Sequence, residues 1–243
     1  MTQVTVTETK DLIRKTAGRL GFWVAIITTV LAVIAFVIAI ATPPISGPFC
    51  KSGCVTYPYA NVASFVPHDY IWMYPGILLT PMFVILMACI HYYMDDEKKI
   101  FSQIGLCFAI ISAVAITTDY FIQLTVIQPS LLKGETEGLA LFSQYNPHGI
   151  FIALEDLGYL VMSLAFLFAG TVFVKDERLE RAIRWFFILS SLISIGSFIV
   201  LSLIYGQNLE YRFEVTIITI DWISLIVVGI LLSAFFRRIT RHL

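Results

Sequence analysis

Six apolar stretches run through this chain of 243 residues, at about 20–42, 70–94, 100–128, 148–174, 182–206 and 214–236. Each is close to the roughly 20 residues that cross a bilayer core of about 30 Å. Nothing else in the sequence constrains the fold as much. A backbone inside lipid must pair every N–H and C=O within itself, which leaves only helices and closed barrels. Continuous apolar runs of this length, without strand-like alternation, are helices. Only 14% of residues are charged, against about 25% in soluble domains. The expected fold is therefore all-α: a polytopic six-helix transmembrane bundle forming one membrane domain over 1–243. Outer loops are expected at 43–69, 129–147 and 207–213, and no soluble domain is left over. The first run is too long for the apolar core of a signal peptide, and no small-residue cleavage site follows it cleanly.

Charge sets the orientation. Basic residues gather before the first span (Lys10, Arg14, Lys15, Arg19), between the second and third (Lys98, Lys99), between the fourth and fifth (Lys175, Arg178, Arg181, Arg184) and after the sixth (Arg237, Arg238, Arg241). That places 13 of the 16 basic residues on one side, leaving only Lys51, Lys133 and Arg212 on the other. By the positive-inside rule both termini are cytoplasmic, and the cell (plasma) membrane is the expected location. The net charge of −1 and the placement of basic residues at membrane edges argue against a nucleic-acid partner.

Of the four cysteines, Cys89 and Cys107 fall inside spans and read as small apolar packing residues. Cys50 and Cys54, in "PFCKSGC", fall in the first outer loop. There they predict a short disulfide in an oxidising compartment. Pro75 and Pro81 invite a kink in the second span. "YNPHG" is expected to open the fourth span, with Asn146 as N-cap and Pro147 at the first helical position. Ser190, Ser194 and Ser197 repeat at helical spacing in the fifth span and predict close helix packing.

The functional signal is carried by acids. Asp119, Glu155, Asp156 and Asp221 lie inside expected spans. At about 1.5 Å per residue, Asp119 and Glu155 are each about 30 Å from the basic edge, and Asp221 about 24 Å. Three helices thus bring carboxylates to one layer in the outer third of the bilayer. Helical phase groups them further. His148, Glu155, Tyr159 and Ser163 share a face of the fourth span, while Asp156 points about 100° away. Asp119 pairs with Gln123 on the third span, with Thr118 and Tyr120 alongside. Glu214, Asp221 and Ser224 line the sixth, with Trp222 adjacent. A charged side chain facing lipid costs several kilocalories, so these stripes are expected to turn inward around a polar, outward-open pocket.

No basic residue balances the layer, so it would attract a cation: a proton, a metal ion or a ligand amine. The leading expectation is a site that binds or transports a small cationic or amphipathic molecule, with proton coupling an option. Asp119, Gln123, Glu155, Asp156 and Asp221 would supply polar groups, with His148 at the rim. Tyr74, Tyr120, Tyr159 and Trp222 would supply aromatic walls. A second reading is an intramembrane metal-dependent hydrolase of a lipid-like substrate, with His148, Glu155, Asp119 and Asp221 as mixed N and O ligands. Against it stand the single nearby histidine and the absence of HExxH or comparable spacing. A divalent metal is the only cofactor for which the residues offer ligands. A third reading is a non-catalytic accessory subunit meeting a partner through the Pro-rich first outer loop. The acids could also simply hydrogen-bond the bundle together. The expected partners are the bilayer, the small ligand and, as an open option, further copies of the chain.

Overall fold

The computed structural model describes residues 2–94, 96–174 and 177–242, and Lys175 lies outside them. No strand occurs among the described residues. The helices are α1 (Thr2–Ala41), α2 (Met73–Tyr93), α3 (Lys99–Ile122), α4 (Gln128–Lys133), α5 (Ile150–Gly170), α6 (Arg178–Tyr205) and α7 (Glu210–His242). A π-helical turn over Gln123–Ile127 joins α3 to α4, so the two form one helical rod. Six helical segments are long and apolar enough to cross a membrane: Leu12–Ala41, His68–Tyr93, Lys99–Lys133, Ile150–Gly170, Arg178–Asn208 and Tyr211–Thr240.

Each of the six packs on the next in sequence, and α7 returns to α1, closing a ring; α5 and α7 also touch across it. Gly18 lies against Ile239 and Thr240, so both ends of the chain meet at one end of the bundle, the terminal end. The loops at 42–72 and 134–149 lie at the opposite, far end. Exposure follows composition: outward positions such as Leu192, Ile199, Leu203 and Ile110 are apolar, while the interior holds aromatic rings and the acids Asp119, Glu155 and Asp221.

Local sequence accounts for most boundaries. Pro81 cannot donate to the carbonyl of Ile77, and the Thr80 hydroxyl donates to that carbonyl instead, at 3.0 Å. Thr117 of α3 sits 2.7 Å from the same hydroxyl, so the repair also ties α2 to α3. Pro75 lies in the first turn of α2, where a missing donor is harmless. The third span was expected to end at 128. Instead the helical path widens by one residue in the π turn just before Pro129 and continues to Lys133, where Gly134 ends it in the left-handed conformation at φ 75°. A widened turn frees the carbonyl geometry that a proline would otherwise clash with. The expected N-cap at Asn146 also shifts. Asn146 Oδ1 accepts from the backbone of His148 at 3.0 Å and its Nδ2 donates to Ala140 O at 2.8 Å. This turn precedes the helix, which starts at Ile150 with Gly149 as its cap.

The closest helix crossing that bears on the site is between α3 and α5. A Cβ built on Gly158 would fall 2.5 Å from Ile116 Cγ1, so only glycine lets the two helices approach this closely. That approach brings Asp119 and Tyr120 of α3 against Glu155 and Tyr159 of α5.

Candidate functional site

The inward stripes of α3, α5 and α7 meet in a packed polar seam. Trp222 Nε1 donates to Tyr159 Oη at 2.9 Å, and Tyr159 Oη lies 2.9 Å from Tyr120 Oη. Tyr120 Oη in turn donates to Glu155 Oε1 at 2.5 Å. All four side chains are buried. Because Tyr120 spends its hydrogen on Glu155, Tyr159 must donate to Tyr120 and accept from Trp222, so the seam has one direction, from indole to carboxyl. Trp72, just before α2, covers it edge-on, with ring centroids 5.1 Å from Tyr120 and 6.1 Å from Trp222.

Glu155 has a second neighbour. Glu214 of α7 stands close enough for the two carboxyl groups to interact electrostatically. Neither Glu155 Oε2 nor Glu214 Oε2 receives a bond from any N–H or O–H group of the described residues. Asp119 and Asp156 stand within the electrostatic reach of the same carboxyl. Asp221 is separate. Ser163 of α5 and Ser194 of α6 both donate to its Oδ1, at 3.0 and 3.2 Å. Ser194 was expected to serve only close packing; here its hydroxyl binds an acid.

Beside the seam, at the far end, lies a cavity of about 350 Å³ between the end of α1, the first loop and the start of α7. Its polar wall comprises Asp69 and Glu214, its aromatic wall Trp72, Tyr145, Tyr211 and Trp222, and Phe36 closes its apolar side. Among the described residues, no lysine, arginine or histidine lines it. Asp69 is held by Tyr145, whose hydroxyl donates to Oδ2 at 3.2 Å, and His68 Nδ1 stands 3.2 Å from Oδ1. Burial, with Tyr70 and Asp69 close by, pushes the Tyr145 phenol well above the ordinary tyrosine value, so it remains a donor to Asp69. Tyr211 Oη donates to Gln144 O at 2.8 Å and accepts from Ser46 at 2.8 Å. The first loop reaches this wall only because Gly47 adopts φ +67°; a Cβ there would fall 2.2 Å from Tyr211 Cδ2. Cys50 and Cys54 form a disulfide further along the same loop.

Of the ten residues named from sequence, only Trp222 lines the cavity. Glu155, Tyr120 and Tyr159 form the seam behind it. Gln123 turns away from Asp119 and donates to Phe142 O at 2.6 Å. Tyr74 is 54% exposed, and Trp72, two residues earlier, takes the inward place assigned to it. His148 is exposed, apart from the seam. Among the described residues, no three His, Cys, Asp or Glu side chains lie close enough together to hold a metal ion, so the proposed ligand set His148, Glu155, Asp119 and Asp221 is not gathered. Sequence reading missed Asp69, Trp72, Tyr145 and Tyr211. Tyr211, Glu214, Ile218 and Trp222 repeat at three- and four-residue spacing, a pattern that marks them as one helix face. Nothing in "VPHDY" shows that Asp69 folds back over that face. No protein-family model, curated protein or solved structure matches this chain.

Proposed function

We propose that this chain is an integral membrane protein, termini cytoplasmic, whose outward-facing cavity binds or transports a small cationic or amphipathic molecule. The observation that carries this reading is the cavity wall: two acids, six aromatic rings and, among the described residues, no lysine, arginine or histidine. A cation between carboxylates gains Coulomb attraction, and indole and phenol faces add cation–π attraction of about 0.5–2 kcal/mol each. The apolar side at Phe36 and Ile218 would receive a hydrocarbon body. The volume sits at the lower end of small-molecule sites, about 300–1,000 Å³, which favours a compact amine. The orientation rests on the distribution of lysine and arginine. Proton coupling belongs to the same reading: neighbouring carboxyls with no basic partner favour keeping a proton, and a cation seated on Glu214 would replace it.

The test is calorimetric binding of a panel of primary to quaternary amines to the purified chain, with uptake into proteoliposomes alongside. Glu214→Gln and Asp69→Asn should each weaken binding at least tenfold, while neutral analogues of the same shape should bind poorly to the wild type. Equal affinity of both variants and wild type for every amine would sink the proposal.

A further inference from the structure

Asp221 stands apart from the seam and accepts hydrogen bonds from serine hydroxyls. It lies wholly buried at 0% exposure, next in sequence to Trp222, and lines no part of the cavity. Its partners are hydroxyls from two different helices, Ser163 of α5 and Ser194 of α6, both converging on Oδ1. Its other oxygen, Oδ2, is buried with no partner among the described residues, and so is the hydroxyl of Ser191, one turn before Ser194 on α6. A buried carboxylate with no counter-charge is costly unless something neutralises it.

The geometry points to a binding site for a small monovalent metal cation, of the size of sodium, at Asp221, Ser163 and Ser194. Three features select that class. All the converging groups are oxygens, the ligands that hard cations take. One carboxylate balances one positive charge, whereas a divalent ion would leave a net charge in the low-dielectric interior. The spacing is also right: oxygens about 2.4 Å from a hard cation of this radius stand roughly 3.4 Å apart at right angles. The serine-to-carboxylate separations of 3.0 and 3.2 Å need little adjustment to reach that. The unpartnered Oδ2 offers the remaining ligand position. The site joins α5, α6 and α7, so an ion there would clamp three helices just below the cavity. This inference does not depend on the identity of the cavity's ligand.

The test uses the full chain in detergent, titrated with sodium chloride against N-methylglucamine chloride at constant ionic strength, and followed by thermal unfolding and by binding of radioactive sodium. Saturable stabilisation by sodium and near one-to-one binding are expected. Asp221→Asn should abolish both. Ser194→Ala, which removes one hydroxyl and adds no bulk, should weaken apparent sodium affinity about tenfold, the weight of one charge-assisted contact. Radioactive sodium binding no greater in the wild type than in Asp221→Asn would overturn the proposal and leave a protonated, structural Asp221. If Asp221→Asn does not fold, an unchanged sodium affinity in both Ser194→Ala and Ser163→Ala overturns it equally. Amine binding is unaffected by that outcome, since it is read at Glu214 and Asp69.

Discussion

Tyr159→Phe removes one oxygen from the centre of the seam and leaves the ring in place. Two hydrogen bonds disappear, to Trp222 Nε1 and to Tyr120 Oη, each 2.9 Å long. Hydrogen bonds between transmembrane helices average about 0.6 kcal/mol, so their simple loss costs about 1.2 kcal/mol. The larger effect is what remains. Trp222 is 0% exposed, and its N–H then points into the core with no acceptor, a penalty of about 1–3 kcal/mol. Tyr120 keeps its bond to Glu155, which limits the damage. The expected destabilisation is about 2–4 kcal/mol. It can be measured by reversible unfolding in mixed micelles at increasing dodecyl sulfate, followed by near-UV circular dichroism. A cycle with Trp222→Phe isolates the cause, because in that background no indole N–H is left to orphan. Tyr159→Phe should then cost less by about 1 kcal/mol. Costs that add within about 0.3–0.5 kcal/mol would refute the reasoning and show that the oxygen contributes only through packing.

Three further outcomes follow from the same geometry. Gly158→Ala places a methyl carbon 2.5 Å from Ile116 Cγ1, so α3 and α5 must part, at about 1–3 kcal/mol on the same unfolding assay; a stabilising effect would contradict the crossing. Gly47→Ala combines a strained positive φ with a clash against Tyr211, and calorimetry should show weaker amine binding while the six helices, read by far-UV circular dichroism, stay intact. The third concerns alkaline pH. The Tyr145 phenol is raised above its ordinary value of 10.0 in the folded chain, so the unfolded chain loses that proton first. Stability from this group is therefore full below about pH 10 and falls as pH climbs beyond it. Tyr145→Phe should flatten that part of a pH–stability curve, and an unchanged alkaline slope counts against the buried Asp69–Tyr145 contact.

The six long helices were legible in one dimension. Length and apolarity mark six segments, because a bilayer-spanning backbone has few other solutions, and the helical rise puts Asp119, Glu155 and Asp221 in a common layer. Phase placed Glu155, Tyr159 and Ser163 on one face of α5, and in the fold that face meets α7 at Glu214, Trp222 and Asp221 in turn. Partner choice was not legible. Tyr74 and Trp72 are equally plausible walls until α2's rotation turns one inward and exposes the other. Asp119 and Gln123 satisfy helical spacing, yet the π turn and the Phe142 carbonyl draw Gln123 elsewhere. The cavity itself was out of reach of any periodic argument. It exists because a loop of Gly, Pro and Tyr folds Asp69 and Ser46 back onto α7. A loop's path depends on contacts between residues far apart in sequence, such as Ser46 with Tyr211 and Asp69 with Tyr145. The sequence alone therefore determined how many helices are long and apolar enough to cross a membrane and where along each helix its acids fall, since both depend on local rise and hydropathy. The tertiary structure decided which acids stand together, which stands among serines and where a cavity opens, because those depend on helix rotation and on where the loops close.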